Sequence, residues 1–180
     1  MKALRNPKAI AQHIATLNPK FRAVIDKYGP SPIGRAPSRC TNFEALATSI
    51  LSQQLSTKAA DTIIKRVKSL AGGSLTPVRI AKLTERQLRE AGCSGAKTRA
   101  ISELAEVSLA KKVPMTSLHR LDDDEIYAHL LPLFGIGRWT VEMFLIFQLG
   151  RSDIWPVGDL GVRRGWERIH RLKEEIEPDE

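Results

Sequence analysis

The stretch DDDEIYAHLLPLFGIGRWTVEMFLIFQLG, residues 122–150, decides the fold of this chain. Apolar residues at helical spacing, Ile126, Leu130 and Leu131, predict a first helix. A second helix, apolar on nearly all sides, follows the segment FGIG at residues 134–137. Two glycines in four residues predict a tight turn, because glycine adopts positive φ and lets a ligand approach the backbone with no Cβ in the way. The sequence therefore predicts two helices joined by a rigid, glycine-containing hairpin.

The start of the second helix is a candidate phosphate-binding site. Beyond the turn, the amides of Gly137, Arg138 and Trp139 are expected to point outward from a helix N-terminus, where partial positive charge favours a phosphate oxygen. A plain αα-hairpin, whose glycines only make the turn, is the alternative interpretation.

The remainder of the chain also has helical periodicity. From Asn42, a residue type that favours the N-cap, apolar residues recur at i, i+3, i+4, i+7 and i+8. Ser56 is expected to cap the next helix, and Thr84 with Gln87 is expected to form a capping box. Two shorter helices are expected at residues 9–17 and 21–28, followed by an arm, GPSPIGRAPSRC, at residues 29–40. Alternation of period two is not sustained anywhere, so we predict an all-α fold.

Length and composition narrow the possible functions. The 180 residues fit one domain, 42% of them are hydrophobic, and the net charge of +8 suits a polyanionic partner such as nucleic acid. No apolar run reaches the length of a spanning helix, and the first residues lack the apolar core of a signal peptide. Cys40 and Cys93 are too few for a disulfide framework, a zinc site or a four-cysteine iron–sulfur cluster. The composition therefore predicts a cytosolic protein with reduced thiols.

A second candidate site lies in DIWPVGDLGVRRGWERIHRL, residues 153–172. Asp159 occupies the N-cap position before a basic helix, whose arginines are Arg163, Arg164, Arg168 and Arg171. Gly161 and Gly165 each cost that helix about 1 kcal/mol relative to alanine, which suggests a face that another backbone or a nucleic acid strand approaches closely. An ordinary capping aspartate is the alternative interpretation.

Four segments, in this order along the chain, resemble the helix-hairpin-helix DNA glycosylases: ALATSILSQQLSTKAADTI, LREAGCSGAKTRAISELA, GIGRWTVEMF and WPVGDLGVRRG. The resemblance covers about residues 40–168 and is greatest to the 3-methyladenine-DNA glycosylase II branch, the alkylpurine enzymes. It implies an all-α bundle of two lobes, with the DNA-binding cleft between them and the damaged nucleotide flipped into that cleft.

The resemblance also implies a division of a single glycosylase domain over residues 1–180. Residues 1–40 would hold the N-terminal helices and the arm, in the lobe shared with the C-terminal helix, and residues 41–134 would form the central helical lobe. The helix-hairpin-helix motif would span residues 122–150, and residues 151–180 would hold the aspartate loop, the basic helix and an acidic tail.

Residue by residue, the resemblance implies the following roles. Asp159 matches the catalytic aspartate; the family often has two acids in a row there, and here the first is Gly158. Trp139 stands where glycosylases that also cut the strand place a lysine, so the expected enzyme hydrolyses the glycosidic bond without lyase activity. The expected base pocket comprises Trp139, Met143 and Phe43. The expected phosphate contacts are Gly135, Gly137, Arg138, Thr140, Arg163 and Arg164.

Two further expectations come from the resemblance. The loop QQLS would enter the gap left by the flipped nucleotide, with Gln53, Gln54, Leu55 and Ser56 as candidates; a helix end capped by Ser56 is the alternative, and both can hold. The carbonyls of Leu131, Leu133 and Ile136 are candidate ligands of a structural Na+ or K+ at the hairpin. No cofactor is expected to be required, and no iron–sulfur cluster is expected.

The expected function is base-excision repair of double-stranded DNA containing alkylated bases, of the 3-methyladenine and 7-methylguanine type, leaving an abasic site. The expected protein is a monomer without membrane association, cytoplasmic and nucleoid-associated, or nuclear in a eukaryote. Two alternatives remain: a non-catalytic helix-hairpin-helix module that senses or bends DNA, and an enzyme of the same fold that acts on oxidised or mismatched bases. A structural protein whose charge is only solubilising is the remaining, weaker alternative.

Overall fold

Helices account for all the regular secondary structure in the computed structural model, which describes residues 6–32 and 40–177. Within those two ranges no strand occurs, so the prediction of an all-α fold is confirmed. No helix among the described residues is long and apolar enough to cross a membrane. Residues 33–39 of the predicted arm and residues 178–180 of the acidic tail lie outside the described residues.

The described residues divide into two compact units, 6–32 with 150–177 and 40–149. The first unit contains three α-helices and a short 3₁₀ turn, which are α1 (Pro7–Leu17), the turn Pro19–Phe21, α2 (Arg22–Tyr28) and α10 (Leu160–His170).

Aromatic rings hold the first unit together. The rings of Trp166 and His170, one turn apart on α10, stack with centroids 3.9 Å apart. Phe21 and Trp155 each pack against Trp166, at centroid distances of 5.9 and 5.3 Å. Asn18 Nδ2 and His170 Nε2, 3.0 Å apart, add a polar contact. The N-terminal helices are therefore fixed to α10, the helix that follows Asp159.

The second unit contains seven α-helices, which are α3 (Asn42–Ser52), α4 (Thr57–Leu70), α5 (Pro77–Ile80), α6 (Glu85–Glu90), α7 (Gly95–Leu109), α8 (Asp123–Leu130) and α9 (Arg138–Met143). A π-helical segment, Phe144–Gln148, continues α9. The largest fully buried side chains among the described residues all belong to this unit, and most lie on α3, α7 and α8. The rigid core of the second unit thus supports the hairpin between α8 and α9.

Local capping explains most helix boundaries. Ser56 Oγ accepts from Ala59 N at the start of α4, and Thr84 and Gln87 form the predicted capping box of α6. The prediction for α3 was wrong: Thr41 is the N-cap, because its Oγ1 accepts from Glu44 N. Asn42 is the first residue of α3, and its Nδ2 donates to Met115 O at 2.7 Å. A tertiary partner therefore displaces Asn42 from the cap.

Candidate functional site

The hairpin turn, residues 131–137 between α8 and α9, is pressed against α7. Gly135 has φ +78°, and a Cβ built on it would lie 2.8 Å from the Cβ of Ala100. Glu103 Oε1 accepts from Phe134 N at 3.1 Å, and the guanidinium of Arg99 lies 3.9 Å from the centre of the Phe134 ring. Helix α7 therefore fixes the turn by steric contact, hydrogen bond and cation–π interaction.

The second glycine of the turn has a different role from the predicted one. Gly137 has φ −93° and is the N-cap of α9, so the expectation of positive φ holds at Gly135 but not at Gly137. A Cβ at Gly137 would meet no atom of the residues that the structure describes within 4 Å. The space in front of the helix N-terminus is therefore open, as the predicted phosphate contact requires.

Arg138 begins α9 and is anchored without being buried. Its Nε donates to Glu142 Oε1 at 3.1 Å, and its guanidinium lies 5.2 Å from the centre of the Tyr127 ring. Glu142 is only 2% exposed, whereas the Arg138 side chain is largely exposed. Burial, with a further contribution from Glu142, raises the pKa of the Tyr127 hydroxyl. Arg138 as a phosphate contact stays a prediction, with its side chain held on the solvent side of the helix.

A groove of about 580 Å³ connects the hairpin with the loop at residues 53–56, hereafter the QQLS loop. Its lining residues are Ser52, Gln53, Gln54, Leu55, Gly137, Trp139 and Thr140. Trp139 is 45% exposed, so its indole is accessible from the groove. The groove brings the predicted inserted loop, the predicted phosphate site and the predicted stacking tryptophan together.

The other two residues of the predicted base pocket are less accessible. Met143 is half-buried. Phe43 lies on the buried face of α3 and is 3% exposed, so its ring offers no surface on which a base can stack. Phe43 is therefore better described as a core residue than as a base-pocket residue.

The four residues of the QQLS loop differ in their surroundings. Gln53 is half-buried, and its Nε2 donates to Gly135 O at 2.9 Å and to Thr140 Oγ1 at 3.2 Å. Gln54 has φ +55°, a conformation that costs a residue with a side chain about 1–2 kcal/mol. Gln54, Leu55 and Ser56 are exposed, and Ser56 also caps α4 as predicted. The loop therefore consists of one anchored residue and three accessible ones.

The sequence analysis missed the side of α7 that supports both the hairpin and the end of α3, where the QQLS loop begins. Lys97 Nζ donates to Leu51 O at 2.8 Å, at the C-terminal end of α3. Burial lowers the pKa of Lys97 and raises the pKa of the neighbouring Cys93 thiol. Lys97, Ala100 and Glu103 follow one another at i, i+3 and i+6, which places them on one side of the helix. This spacing is the sequence feature from which the supporting side of α7 could have been predicted.

Asp159 lies in the first unit, at the N-cap of α10. Its Oδ1 accepts from Val162 N at 2.9 Å, so the predicted capping role is present. Negative charge is favoured at this end of a helix by the aligned peptide dipoles. A Cβ at Gly165 would meet no atom of the described residues within 4 Å, and a Cβ at Gly161 would lie 3.1 Å from Asp159 Oδ1. Within residues 6–32 and 40–177, no other helix therefore approaches α10 closely at these two glycines.

The two arginines of α10 that were predicted to bind phosphate have partners within the first unit. Arg163 Nη1 donates to Ile176 O at 2.6 Å. Arg164 forms ion pairs with Glu167, at 2.9 Å, and with Glu175. A backbone hydrogen bond from Ile176, together with Arg164, lowers the pKa of Glu167. Phosphate binding by these arginines stays a prediction, and it requires exchange of these partners.

A monovalent cation at the hairpin also stays a prediction. Leu133 O accepts from Ile136 N at 3.1 Å, and Leu131 is the C-cap of α8. Among residues 6–32 and 40–177, no group of three or more His, Cys, Asp or Glu side chains is placed to hold a metal ion. Any cation at the turn would therefore depend on backbone carbonyls.

Comparison with known proteins agrees with this arrangement. The model of the HhH-GPD superfamily of base excision DNA repair proteins matches residues 47–180. DNA-3-methyladenine glycosylase 1 of Schizosaccharomyces pombe is 34% identical over 163 residues, which are 89% of this chain and 72% of that protein.

Solved structures give the same result. The S. pombe 3-methyladenine DNA glycosylase in complex with abasic DNA superposes with a TM-score of 0.84 at 32% identity, covering 95% of this chain and 84% of that one. A DNA-3-methyladenine glycosidase from Bacillus halodurans superposes with a TM-score of 0.83 at 31% identity, covering 97% of this chain and 78% of that one. The prediction from the four sequence segments is confirmed at the level of family and fold.

Proposed function

Because the chain belongs to the HhH-GPD superfamily of base excision DNA repair proteins, we propose that it is a DNA glycosylase that releases alkylated purines from double-stranded DNA. The proposed substrates are bases of the 3-methyladenine and 7-methylguanine type. The names of the S. pombe and B. halodurans relatives support this substrate class. The proposed product is an abasic site.

The observation that carries the proposal is the position of Asp159. Its carboxylate is fixed at the N-terminus of α10 by the hydrogen bond from Val162 N. The aligned peptide dipoles favour negative charge at this end of a helix. Among the described residues, no atom would lie within 4 Å of a Cβ built on Gly165 of the same helix. These are the properties required of a group that stabilises positive charge on a deoxyribose.

The reaction is hydrolysis of the bond between C1′ and the base nitrogen. The nucleotide must first leave the stack, which costs a few kcal/mol and least for a damaged base. Alkylation at N3 or N7 makes the purine cationic, so the bonding electron pair leaves with a neutral base and little acid catalysis is needed. Asp159 stabilises the oxocarbenium character that develops on the sugar, and it orients or deprotonates the water that adds to C1′.

Trp139 supports a hydrolytic reaction without strand cleavage. An indole cannot form the Schiff base that a lyase requires, whereas the exposed ring in the groove offers a π face to a cationic purine. The same groove contains the open N-terminus of α9, a suitable contact for the DNA backbone.

The test compares Asp159→Asn with a matched substitution, Asp153→Asn, at an exposed aspartate of the same connecting loop. Asparagine is also a favoured N-cap residue, so Asp159→Asn should preserve the fold while removing the charge. We expect single-turnover release of 3-methyladenine from alkylated DNA to fall at least about a hundredfold in Asp159→Asn. Affinity for duplex DNA should remain within about twofold of the wild type in both variants.

Excision by Asp159→Asn at the wild-type rate would disprove the assignment of chemistry to this residue. Binding of damaged duplex by the wild type without any abasic product would instead favour a non-catalytic DNA-binding module. A panel of oligonucleotides that carry oxidised or mismatched bases distinguishes the alkylpurine enzyme from a glycosylase for other lesions.

A further inference from the structure

Gln53 differs from the rest of the QQLS loop because its side chain is hydrogen-bonded to other parts of the protein. Both hydrogens of its amide nitrogen are used: Nε2 donates to Gly135 O at 2.9 Å and to Thr140 Oγ1 at 3.2 Å. Both acceptors belong to the hairpin and α9, more than eighty residues further along the chain. A side chain held in this way cannot also enter a DNA stack without losing both bonds.

The acceptors of Gln53 are rigid. Gly135 O is presented by a residue with φ +78°, whose Cα lies against Ala100 so closely that no side chain fits between them. Thr140 is buried, with 3% of its surface exposed. The hydrogen bonds of Gln53 therefore connect the loop to a part of the molecule that does not adjust easily.

A second hydrogen bond links the loop to the same helix that holds the hairpin. Lys97 Nζ on α7 donates to Leu51 O, two residues before Gln53, and thereby fixes the end of α3. The same helix holds the hairpin through Ala100 and through Glu103, which accepts from Phe134 N. Helix α7, the hairpin, Gln53 and the end of α3 are thus linked in a ring, and Gln53 is the link between loop and hairpin.

The accessible residues of the loop depend on this link. Gln54 is held at φ +55°, a strained conformation that persists only where its surroundings enforce it. Leu55, 39% exposed, follows directly and lines the same groove as Trp139 and Gly137. An anchored Gln53 immediately before them fixes the direction in which residues 54–56 leave the protein.

We propose that Gln53 is a positioning residue, which fixes residues 54–56 at a set distance from the phosphate-binding face of the hairpin and does not itself enter the DNA. The proposal rests on the proposed function, because it assigns a role in opening the DNA stack. Binding of the DNA backbone at the hairpin is then coupled to insertion of the QQLS loop into the DNA stack. Loss of the link leaves phosphate contacts intact but uncouples the loop from them.

The test uses Gln53→Met, which keeps the length and neutrality of the side chain and removes both donors. The matched control is Gln12→Met, at an exposed position of α1. The probe is a duplex in which 2-aminopurine lies beside a tetrahydrofuran abasic-site analogue. The fluorescence of 2-aminopurine rises when this base loses stacking with its neighbours. Affinity for undamaged duplex and single-turnover excision of 3-methyladenine are measured in parallel.

We expect Gln53→Met to lower both the fluorescence change and the excision rate about tenfold, the scale expected for two lost hydrogen bonds. Affinity for undamaged duplex should stay within twofold, and Gln12→Met should match the wild type. Amide hydrogen exchange in residues 52–56 should become faster without DNA, because the loop is no longer anchored. A parallel fall in affinity and excision by the same factor, or no change in either, overturns the proposal.

A second pair of variants keeps the test decisive if Gln53→Met unfolds. Thr140→Val removes one acceptor of Gln53, whereas Thr140→Ser retains the hydroxyl. We expect a partial loss of the fluorescence change in the valine variant and recovery in the serine variant; equal behaviour of the two overturns the proposal. If the wild type unstacks the probe but excises nothing, the proposed enzymatic function fails while the role of Gln53 is still measured by fluorescence and hydrogen exchange.

Discussion

Replacing Gly135 with alanine should destabilise the second unit by about 2–4 kcal/mol, and the structure gives two separate reasons. At φ +78° an alanine is in the left-handed region, which costs about 1–2 kcal/mol. Its Cβ would also lie 2.8 Å from the Cβ of Ala100, so the hairpin or α7 must shift, at the cost of about 1–3 kcal/mol typical of overpacking. The lower chain entropy of unfolded alanine offsets about 0.4–1 kcal/mol of this.

Thermal unfolding followed by circular dichroism measures the effect. For a chain of this length each kcal/mol corresponds to a shift of about 2–4 °C, so we expect the Tm of Gly135→Ala to fall by about 5–15 °C. The matched control is Gly137→Ser, where φ is −93° and no described atom lies within 4 Å of the added Cβ. Serine is a favoured N-cap residue, so this variant should keep or slightly raise the wild-type Tm.

A double-mutant cycle separates the two contributions. Ala100→Gly alone should cost about 1 kcal/mol, as glycine does inside a helix. Combined with Gly135→Ala it should relieve the steric contribution, so that the double variant is at least about 1 kcal/mol more stable than the sum of the single effects predicts. Strict additivity would refute the contact between the hairpin and α7, and an unchanged Tm for Gly135→Ala would refute the strained turn itself.

Three further predictions concern the groove and the buried thiol. Trp139→Ala should slow single-turnover release of 3-methyladenine about 5- to 30-fold, corresponding to about 1–2 kcal/mol of stacking, and Trp139→Phe should retain part of the rate; equal rates for all three proteins would exclude stacking. Sodium borohydride should trap no covalent complex with damaged DNA, because position 139 carries no amine, and a trapped adduct would reveal a lysine nucleophile. Burial raises the pKa of the Cys93 thiol above its ordinary 9.0, so the unfolded thiol ionises first and the free energy of unfolding should fall as pH rises above 9. Urea titrations should show a shallower fall for Cys93→Ala, and superimposable pH profiles would contradict this.

Helices and their local caps were predictable because their signals are local in sequence. The predicted capping box of Thr84 and Gln87 joins residues three positions apart, and it forms. The start of α3 was assigned wrongly because Thr41 and Asn42 are both good N-cap residues. The choice between them is made by Met115 O and by Gln148, which lie 73 and 106 residues from Asn42. Local propensity contains no information about such partners.

The site shows the same division between local and distant signals. The FGIG turn identified the hairpin, but the close approach of Gly135 to Ala100, a residue of another helix, could not be read from the sequence. The QQLS motif identified the loop. That Gln53, unlike residues 54–56, is held by hydrogen bonds depends on acceptors 82 and 87 residues away. The sequence therefore identifies the candidate segments, and only the tertiary structure distinguishes their accessible residues from those that hold others in place.

Arg163 and Arg164 illustrate why a count of basic residues overstates the number of phosphate contacts. The sequence presents them as equivalent, but Arg164 is paired with the carboxylates of Glu167 and Glu175, whereas Arg163 donates to the neutral carbonyl of Ile176. A phosphate that binds Arg164 must displace two like-charged groups that stay nearby, and their repulsion reduces the gain. A phosphate at Arg163 displaces a neutral group, so it is opposed by less repulsion than a phosphate at Arg164. Since each neutralised phosphate contributes about −0.9 to the slope of log affinity against log salt, the two arginines should contribute unequally to that slope although they are adjacent in the chain.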